Sequence, residues 1–114
     1  MIDSYSFGRM AVDGRRYTKD LMLLAGGTVV HPWRRAEGHR LALSDLGAVL
    51  DFAPDVLVVG TGSPGMMKVD AALAAELSAR GIRTVALPTA QAVLEYNRLA
   101  RAGAKVAACF HLTC

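Results

Sequence analysis

The sequence has few of the residues on which disulfide-stapled and membrane-spanning folds depend. Only two of its 114 residues are cysteines. Cys109 and Cys114 fall on a predicted terminal strand, where residues five apart lie roughly 16 Å from each other at about 3.3 Å per residue. A disulfide between them is sterically excluded there, so we expect reduced thiols and a cytoplasmic location. No apolar run is long enough for an integral membrane segment, and the first 20 residues lack the apolar core of a signal peptide.

Residue clusters typical of metal-binding or catalytic sites are also scarce. The three histidines share no metal-ligand spacing with one another or with the cysteines, so no metal is predicted. Cys109 and His111 would share one strand face, but a cysteine on a buried strand is usually an inert small hydrophobe, and no catalytic residue is assigned. The net charge is +3, yet the basic residues are dispersed and form only two adjacent pairs. A solvated face explains them better than nucleic-acid binding.

The most informative stretch is an apolar run that leads into a glycine-rich turn. Residues 56–59 are aliphatic and lie between Pro54 and Gly60, which predicts an interior strand with both faces covered. The turn matches G-x-G-x-x-G and precedes an amphipathic helix predicted over residues 69–80. The acidic residue that a dinucleotide site needs at the end of the next strand is missing, as is the Lys-Ser/Thr pair of a P-loop. We therefore predict no cofactor.

Two interpretations of this turn remain open. It is either a structural turn or a site for a small anion or polar ligand. The candidate ligand-binding residues are Gly60, Thr61, Gly62, Ser63 and Thr89. Thr89 is included because its strand is expected to neighbour the central one, so that both loops open on the same side of the sheet. Its alternative role is that of a simple helix N-cap.

The remaining pattern predicts an α/β fold. Asp13-Gly14 is a strong hairpin signal and places antiparallel strands at the start of the chain. Helices are predicted over residues 44–52, 69–80 and 89–103, with Ser44 and Thr89 as N-caps, and strands over 82–87 and 106–112. Strands separated by such helices normally lie parallel. We expect a single compact domain over residues 1–114, with a mixed central β-sheet, N-terminal antiparallel strands and helices on both faces.

One polar connection carries the candidate partner-binding residues. Trp33 stands beside Arg34 and Arg35, with His39 nearby. A large aromatic residue in such a connection either anchors a partner or caps the core, and the sequence leaves both roles open.

An ordered series of motifs then gives the chain a family resemblance. In chain order the motifs are Tyr5-x-Phe7-Gly8, Gly14-x-x-Tyr17-x-x-Asp20, Trp33-x-Arg35 with Gly38-His39, Gly60-Thr61-Gly62, Thr89-x-x-Ala92-x-x-x-Tyr96-Asn97-x-Leu99 and His111-Leu112-Thr113-Cys114. The series resembles the Mth-type domain of unknown function, a family that includes mitochondrial complex I assembly factor 3 and an adipogenesis-associated cytosolic protein. The resemblance covers nearly the whole chain. It implies a compact α/β domain around a mixed sheet and supplies no catalytic residue.

Two functional hypotheses follow. The first is a non-catalytic binding or assembly-factor-like module with a protein partner, which the resemblance and the missing catalytic clusters favour. The alternative is a small ligand-binding protein or enzyme that uses the loop 60–65 and Thr89. A deep polar pocket at that loop would favour the alternative, whereas an apolar surface near Trp33 would favour the first.

Overall fold

A computed structural model describes residues 1–114 as ten strands, three α-helices and one short 3-10 helix. The strands are β1 (Ile2–Ser6), β2 (Arg9–Val12), β3 (Arg15–Tyr17), β4 (Leu21–Leu23), β5 (Val29–Val30), β6 (Arg40–Leu41), β7 (Val56–Gly60), β8 (Lys68–Val69), β9 (Arg83–Leu87) and β10 (Val106–Phe110). The helices are the 3-10 helix Leu43–Leu46, α1 (Gly47–Asp51), α2 (Ala71–Ala79) and α3 (Thr89–Arg101). None of the helices combines the length and the apolar character that crossing a bilayer requires.

The chain begins with a three-stranded antiparallel sheet in the order β1-β2-β3. Val12 pairs with Arg15 across the predicted two-residue turn, in which Asp13 and Gly14 have φ values of 49° and 81°. Positive φ at both turn residues matches the twist of the flanking strands, which is why Asp-Gly favours this hairpin. The predicted antiparallel start of the chain is confirmed.

The central sheet has five strands in the order β5-β4-β10-β7-β9. β10, β7 and β9 run parallel, whereas β4 pairs antiparallel with both β10 and β5. All five residues of β7 are buried, and β7 has a parallel neighbour on each side. The predicted mixed sheet with residues 56–59 as its interior strand is therefore confirmed.

Alternate residues of β7 enter two separate parts of the core. Val56 and Val58 pack into a cluster with α3 and the N-terminal sheet. Leu57 and Val59 pack on the other face, into a cluster with α1 and α2. Because both faces are covered, the strand is apolar throughout instead of alternating with polar residues. Helices lie on both faces of the sheet, as predicted.

The sequence-based prediction is wrong at the start of α2 and at two helix caps. Residues 68–69, of which 69 was predicted as helical, form β8 and pair parallel with β6. Ser44 is not an N-cap, because the 3-10 helix begins one residue earlier and the carboxylate of Asp45 accepts a hydrogen bond from the Ala42 amide at 2.9 Å. Thr89 is not an N-cap either: Pro88 holds that position, and the Thr89 hydroxyl bonds to the strand ends.

Candidate functional site

The carboxyl ends of the three parallel strands meet at one edge of the sheet. Gly60 at the end of β7 lies between Phe110 of β10 and Leu87 of β9, in register with both. The residues that follow these ends form the glycine loop, the start of α3 and the segment at His111. This is the arrangement at which open α/β sheets commonly place ligands.

The Thr89 side chain ties this edge together. Its hydroxyl accepts a hydrogen bond from the Gly62 amide at 2.9 Å and donates one to the carbonyl oxygen of His111 at 2.6 Å. The side chain is fully buried. A threonine fits here because a hydroxyl both accepts and donates, which an N-terminal cap alone would not require.

Three consecutive amides of the glycine loop, those of Thr61, Gly62 and Ser63, donate to acceptors within the chain. The Thr61 amide and hydroxyl both donate to the carbonyl oxygen of Leu87, at 2.9 and 3.1 Å. The Ser63 amide donates to the carbonyl oxygen of Thr113 at 2.7 Å. A ligand at Gly60, Thr61, Gly62, Ser63 and Thr89 would have to compete with these bonds. Ligand binding at these five residues stays a prediction.

Two glycines of the loop permit close backbone approach. Gly62 has a φ of +102°, and a Cβ atom there would lie 2.6 Å from the carbonyl oxygen of Thr113. A Cβ atom on Gly60 would lie 2.6 Å from the Phe110 ring and 3.0 Å from the Thr89 hydroxyl. The close neighbours are the chain's own atoms, so packing and backbone conformation both require glycine at these positions.

Beside the loop lies a buried ionic cluster formed by Asp20, Arg35 and His111. Oδ2 of Asp20 accepts from Nη2 of Arg35 at 2.9 Å and from Nδ1 of His111 at 2.8 Å. Its Oδ1 accepts from the Leu112 amide at 2.8 Å. Burial raises the pKa of Asp20, but the Leu112 amide, His111 and Arg35 outweigh it and hold the pKa below its ordinary value. The carboxylate therefore stays ionised and holds the cluster together.

Arg35 and Trp33 are interior residues of this cluster. The Arg35 side chain is only 4% exposed, donates from Nε and Nη2 to the carbonyl oxygen of Gly38, and lies over the Trp33 ring with its Cζ 4.7 Å from the ring centre. Trp33 is buried in the core, and its Nε1 donates to the carbonyl oxygen of Asp45 at 3.0 Å. Of the two roles left open for Trp33, this buried position fits that of a core cap.

The other candidate partner-binding residues, Arg34 and His39, are exposed. His39 packs edge-on against the ring of His111, with 5.6 Å between the ring centres. The structure therefore brings Trp33, Arg35 and His39 to one buried cluster and its rim. Partner binding through these four residues stays a prediction.

Neither cysteine is paired. Cys109 lies in β10 and is completely buried, whereas Cys114 is exposed beyond the end of the strand at Phe110. Burial raises the pKa of the Cys109 thiol to about 12, although the charge of Arg35 acts in the opposite direction. The thiol therefore stays protonated near neutral pH, which is unfavourable for a nucleophile.

The largest concavity lies elsewhere, between residues 36–43 and the first turns of α2. We call it the acidic groove. It has a volume of about 480 Å³. Its apolar lining consists of Ala36, Leu41, Ala42, Leu43, Ala72 and Leu73, and its charged lining of Glu37, Arg40, Asp70 and Glu76.

Three carboxylates and one guanidinium give this lining a net charge of −2. Nε and Nη2 of Arg40 both donate to Oδ2 of Asp70, at 3.1 and 2.7 Å, so these two charges neutralise each other at the rim. Glu37 has no ion pair, and Glu76 approaches Arg80, which is outside the groove, at 3.4 Å. The groove is thus locally negative on a chain whose net charge is +3.

Sequence reasoning missed the acidic groove and most of the ionic cluster. Residues 36–43 and 70–76 carry no shared spacing, and only the pairing of β6 with β8 brings them together. Asp20 and His111 are 91 residues apart, and no local pattern indicates that their side chains meet. The available signal was that Asp20, Arg35 and His111 all occur in the motif series.

Fold and site together define a small α/β domain with a mixed sheet, a buried ionic cluster at the strand ends and an open groove beside α2. A family model described as "Protein of unknown function (DUF498/DUF598)" matches residues 2–111, and the chain belongs to this family. The predicted resemblance to the Mth-type domain is confirmed by this match and by the solved structures of similar fold.

Among those structures, one called MT938 is 27% identical, with 100% of this chain and 98% of that chain covered and a TM-score of 0.83. A conserved hypothetical protein from Pyrococcus horikoshii is 23% identical, with 100% and 99% covered and a TM-score of 0.83. A Bordetella pertussis protein described as an Mth938-like domain is 20% identical, with 98% and 85% covered and a TM-score of 0.68. The last two likenesses concern the fold alone.

Proposed function

We propose that this protein is a non-catalytic, assembly-factor-like binding module and that a protein partner binds in the acidic groove. The observation that carries the proposal is the groove itself, an open concavity with an apolar floor and a charged rim. Its volume lies within the range of about 300–1,000 Å³ typical of ligand pockets. An apolar centre within a polar rim is also the usual anatomy of a protein interface.

The glycine loop and the ionic cluster, at the carboxyl ends of the parallel strands, are less suited to binding a partner than the groove is. The loop amides of Thr61, Gly62 and Ser63 have internal acceptors, and the buried Arg35 is paired with the partly buried Asp20. Groups bonded in this way must give up a partner before they can contact a ligand. In the ionic cluster only Nη1 of Arg35 and Nε2 of His111 are buried without a hydrogen-bond partner. In the groove, by contrast, Ala36 and Ala72 are exposed and Glu37 has no ion pair, so a partner can contact these three side chains without breaking an internal bond. The two ion pairs of the lining, Arg40 with Asp70 and Glu76 with Arg80, are exposed to solvent.

Affinity purification with a matched pair of variants tests the proposal. Ala72 lies in the groove and Ala75 lies outside it, and both are exposed on α2. Ala72→Arg fills the groove, while Ala75→Arg adds the same side chain to the same helix. Arginine is a good helix former, so both variants should fold, and thermal melts verify this. We expect proteins from the native cell to be captured by wild type and Ala75→Arg and lost with Ala72→Arg. Capture of the same proteins by all three would contradict the proposal.

The alternative function places a small anion or polar ligand at Gly60, Thr61, Gly62, Ser63 and Thr89. The observation in its favour is the position of this loop at the carboxyl ends of parallel strands, where such sheets bind ligands. A titration of the wild type with inorganic phosphate tests it. Saturable binding that perturbs the amides of the loop would support the alternative, whereas no saturable binding would remove phosphate as its ligand.

We also propose a cytoplasmic location. Two free cysteines, one of them exposed, suit a reducing compartment better than an oxidising one. Fractionation of the native cell tests this, since recovery of the protein in the membrane or an oxidising compartment would contradict it.

A further inference from the structure

We infer that the segment seated in the acidic groove is a peptide with one apolar anchor side chain flanked by lysine or arginine. This inference rests on the proposed function and names the chemistry of the partner. It follows from two separate features of the groove, its floor and its rim.

The floor accounts for the apolar anchor. Leu41 and Leu73 are almost completely buried, at 1% and 6% exposure, so they fix the groove in the core, while the half-buried Ala42 and Leu43 still present apolar surface to a partner. Ala36 and Ala72 are exposed and short, which leaves room above the leucines for a side chain from a partner. Burying an aliphatic or aromatic side chain against such a surface removes apolar area from water, which is the main source of affinity in peptide grooves.

The rim accounts for the flanking basic residues. Arg40 is held by Asp70 through two hydrogen bonds, so this guanidinium is already matched by a carboxylate. The remaining charge of the lining is negative and comes from Glu37, which has no ion pair, and from Glu76, whose only ion-pair partner is the exposed Arg80 at 3.4 Å. A basic side chain that reaches either carboxylate gains an attraction, whereas an acidic one meets like charge.

The negative charge of the groove determines which partners it selects. The net charge of +3 would attract acidic partners to the surface in general, but the groove locally reverses that preference. Charges at an exposed rim act over about 8–10 Å at moderate ionic strength. The anchor therefore supplies most of the affinity, and the rim decides which anchored segments bind.

Selection from a random peptide library tests the inference without assuming the answer. Wild-type protein is the bait, and Ala72→Arg is used for counter-selection. We expect the enriched peptides to share an apolar residue with lysine or arginine within a few positions. Enrichment of neutral or acidic peptides that Ala72→Arg does not bind would overturn the inference and leave the proposed function standing. If no peptide binds wild type better than Ala72→Arg, both fail together.

Single charge removal then tests the rim. Glu76→Gln removes a groove carboxylate that lies 3.4 Å from Arg80, and Glu95→Gln removes a carboxylate on α3 outside the groove, where it pairs with Arg98 at 2.6 Å. For an enriched peptide we expect Glu76→Gln to weaken binding about two- to fivefold, as for an exposed ion pair, and Glu95→Gln to leave it unchanged. Added salt should weaken wild-type binding and have a smaller effect on Glu76→Gln. Equal affinities for all three proteins would overturn the role of the rim.

A second copy of the chain is the competing occupant, because the exposed Phe7 with Arg9 two residues later has the same chemistry as the inferred peptide. Sedimentation over a range of protein concentrations separates the two. Self-association that Ala72→Arg abolishes would replace the peptide partner with a second copy, whereas a monomer at all concentrations supports the peptide.

Discussion

Replacing Asp20 by alanine is the most informative perturbation of the buried ionic cluster. The substitution removes the acceptor for Arg35, His111 and the Leu112 amide at once. The Arg35 side chain is 4% exposed and has no other carboxylate partner, so its charge would stay buried without compensation. Breaking a buried ion pair from one side costs about 3–5 kcal/mol. That is a large part of the stability of a small domain, which is about 5–15 kcal/mol.

Urea unfolding of wild type and variant measures this cost, and the chain supplies a control. Asp70→Ala breaks the bidentate pair with Arg40, whose side chains are 42% and 58% exposed. Solvent screens that pair, so its loss should lower the free energy of unfolding much less than the loss of Asp20. Equal losses in the two variants would refute the claim that burial makes the Asp20 cluster important.

The stability difference between wild type and Asp20→Ala should depend on pH. The pKa of Asp20 in the folded protein lies below its ordinary value of 3.8. A group with a depressed pKa contributes stability that is fully present above the pKa of the unfolded state and is lost as the pH falls through the folded pKa. The difference in the free energy of unfolding between wild type and Asp20→Ala should therefore be constant above about pH 5 and narrow below about pH 4. A difference that widens on acidification would contradict the assignment.

Three further predictions concern the core and the strand ends. Leu57→Ala should lower the free energy of unfolding in urea by about 2–5 kcal/mol, because Leu57 is fully buried in β7. The amides of residues 56–59 should also exchange far more slowly than those of residues 34–40. A loss below about 1 kcal/mol, or equal exchange rates, would contradict an interior strand. Gly62→Ala should lower the melting temperature, because φ is +102° and the new Cβ would lie 2.6 Å from the Thr113 carbonyl oxygen. An unchanged melting temperature with loss of phosphate binding would instead identify a ligand site. A thiol reagent should label Cys114 rapidly and Cys109 only on unfolding, and equal labelling of the folded protein would contradict the burial of Cys109.

Much of the fold could be predicted because its strongest signals are local. The apolar run of β7 and the Asp13-Gly14 turn each fix a conformation within a few residues, whatever the rest of the chain does. The alternation of strands and helices then limits the topology to a mostly parallel sheet. These predictions hold because local preference and tertiary packing agree at these positions.

The features that the sequence did not predict depend on contacts between distant residues. β6 and β8 have two residues each, too few for a periodic pattern, and they become strands only by pairing with each other. Thr89 was predicted as an N-cap because threonine favours that position, but its hydroxyl hydrogen-bonds to the Gly62 amide and the His111 carbonyl oxygen instead. The acidic groove arises from the same pairing of β6 with β8. Its acidic residues looked like ordinary surface charges until residues 36–43 and α2 were placed side by side.

An amide chemical-shift titration with a captured protein or an enriched peptide shows directly whether the partner binds in the acidic groove. We expect shift changes concentrated at Leu41, Leu43, Ala72 and neighbouring groove residues. The glycine loop and the ionic cluster should be unaffected, and Ala72→Arg should abolish the changes while Ala75→Arg preserves them. Changes concentrated at residues 60–63 and Thr89, with the groove unperturbed, would contradict partner binding in the groove.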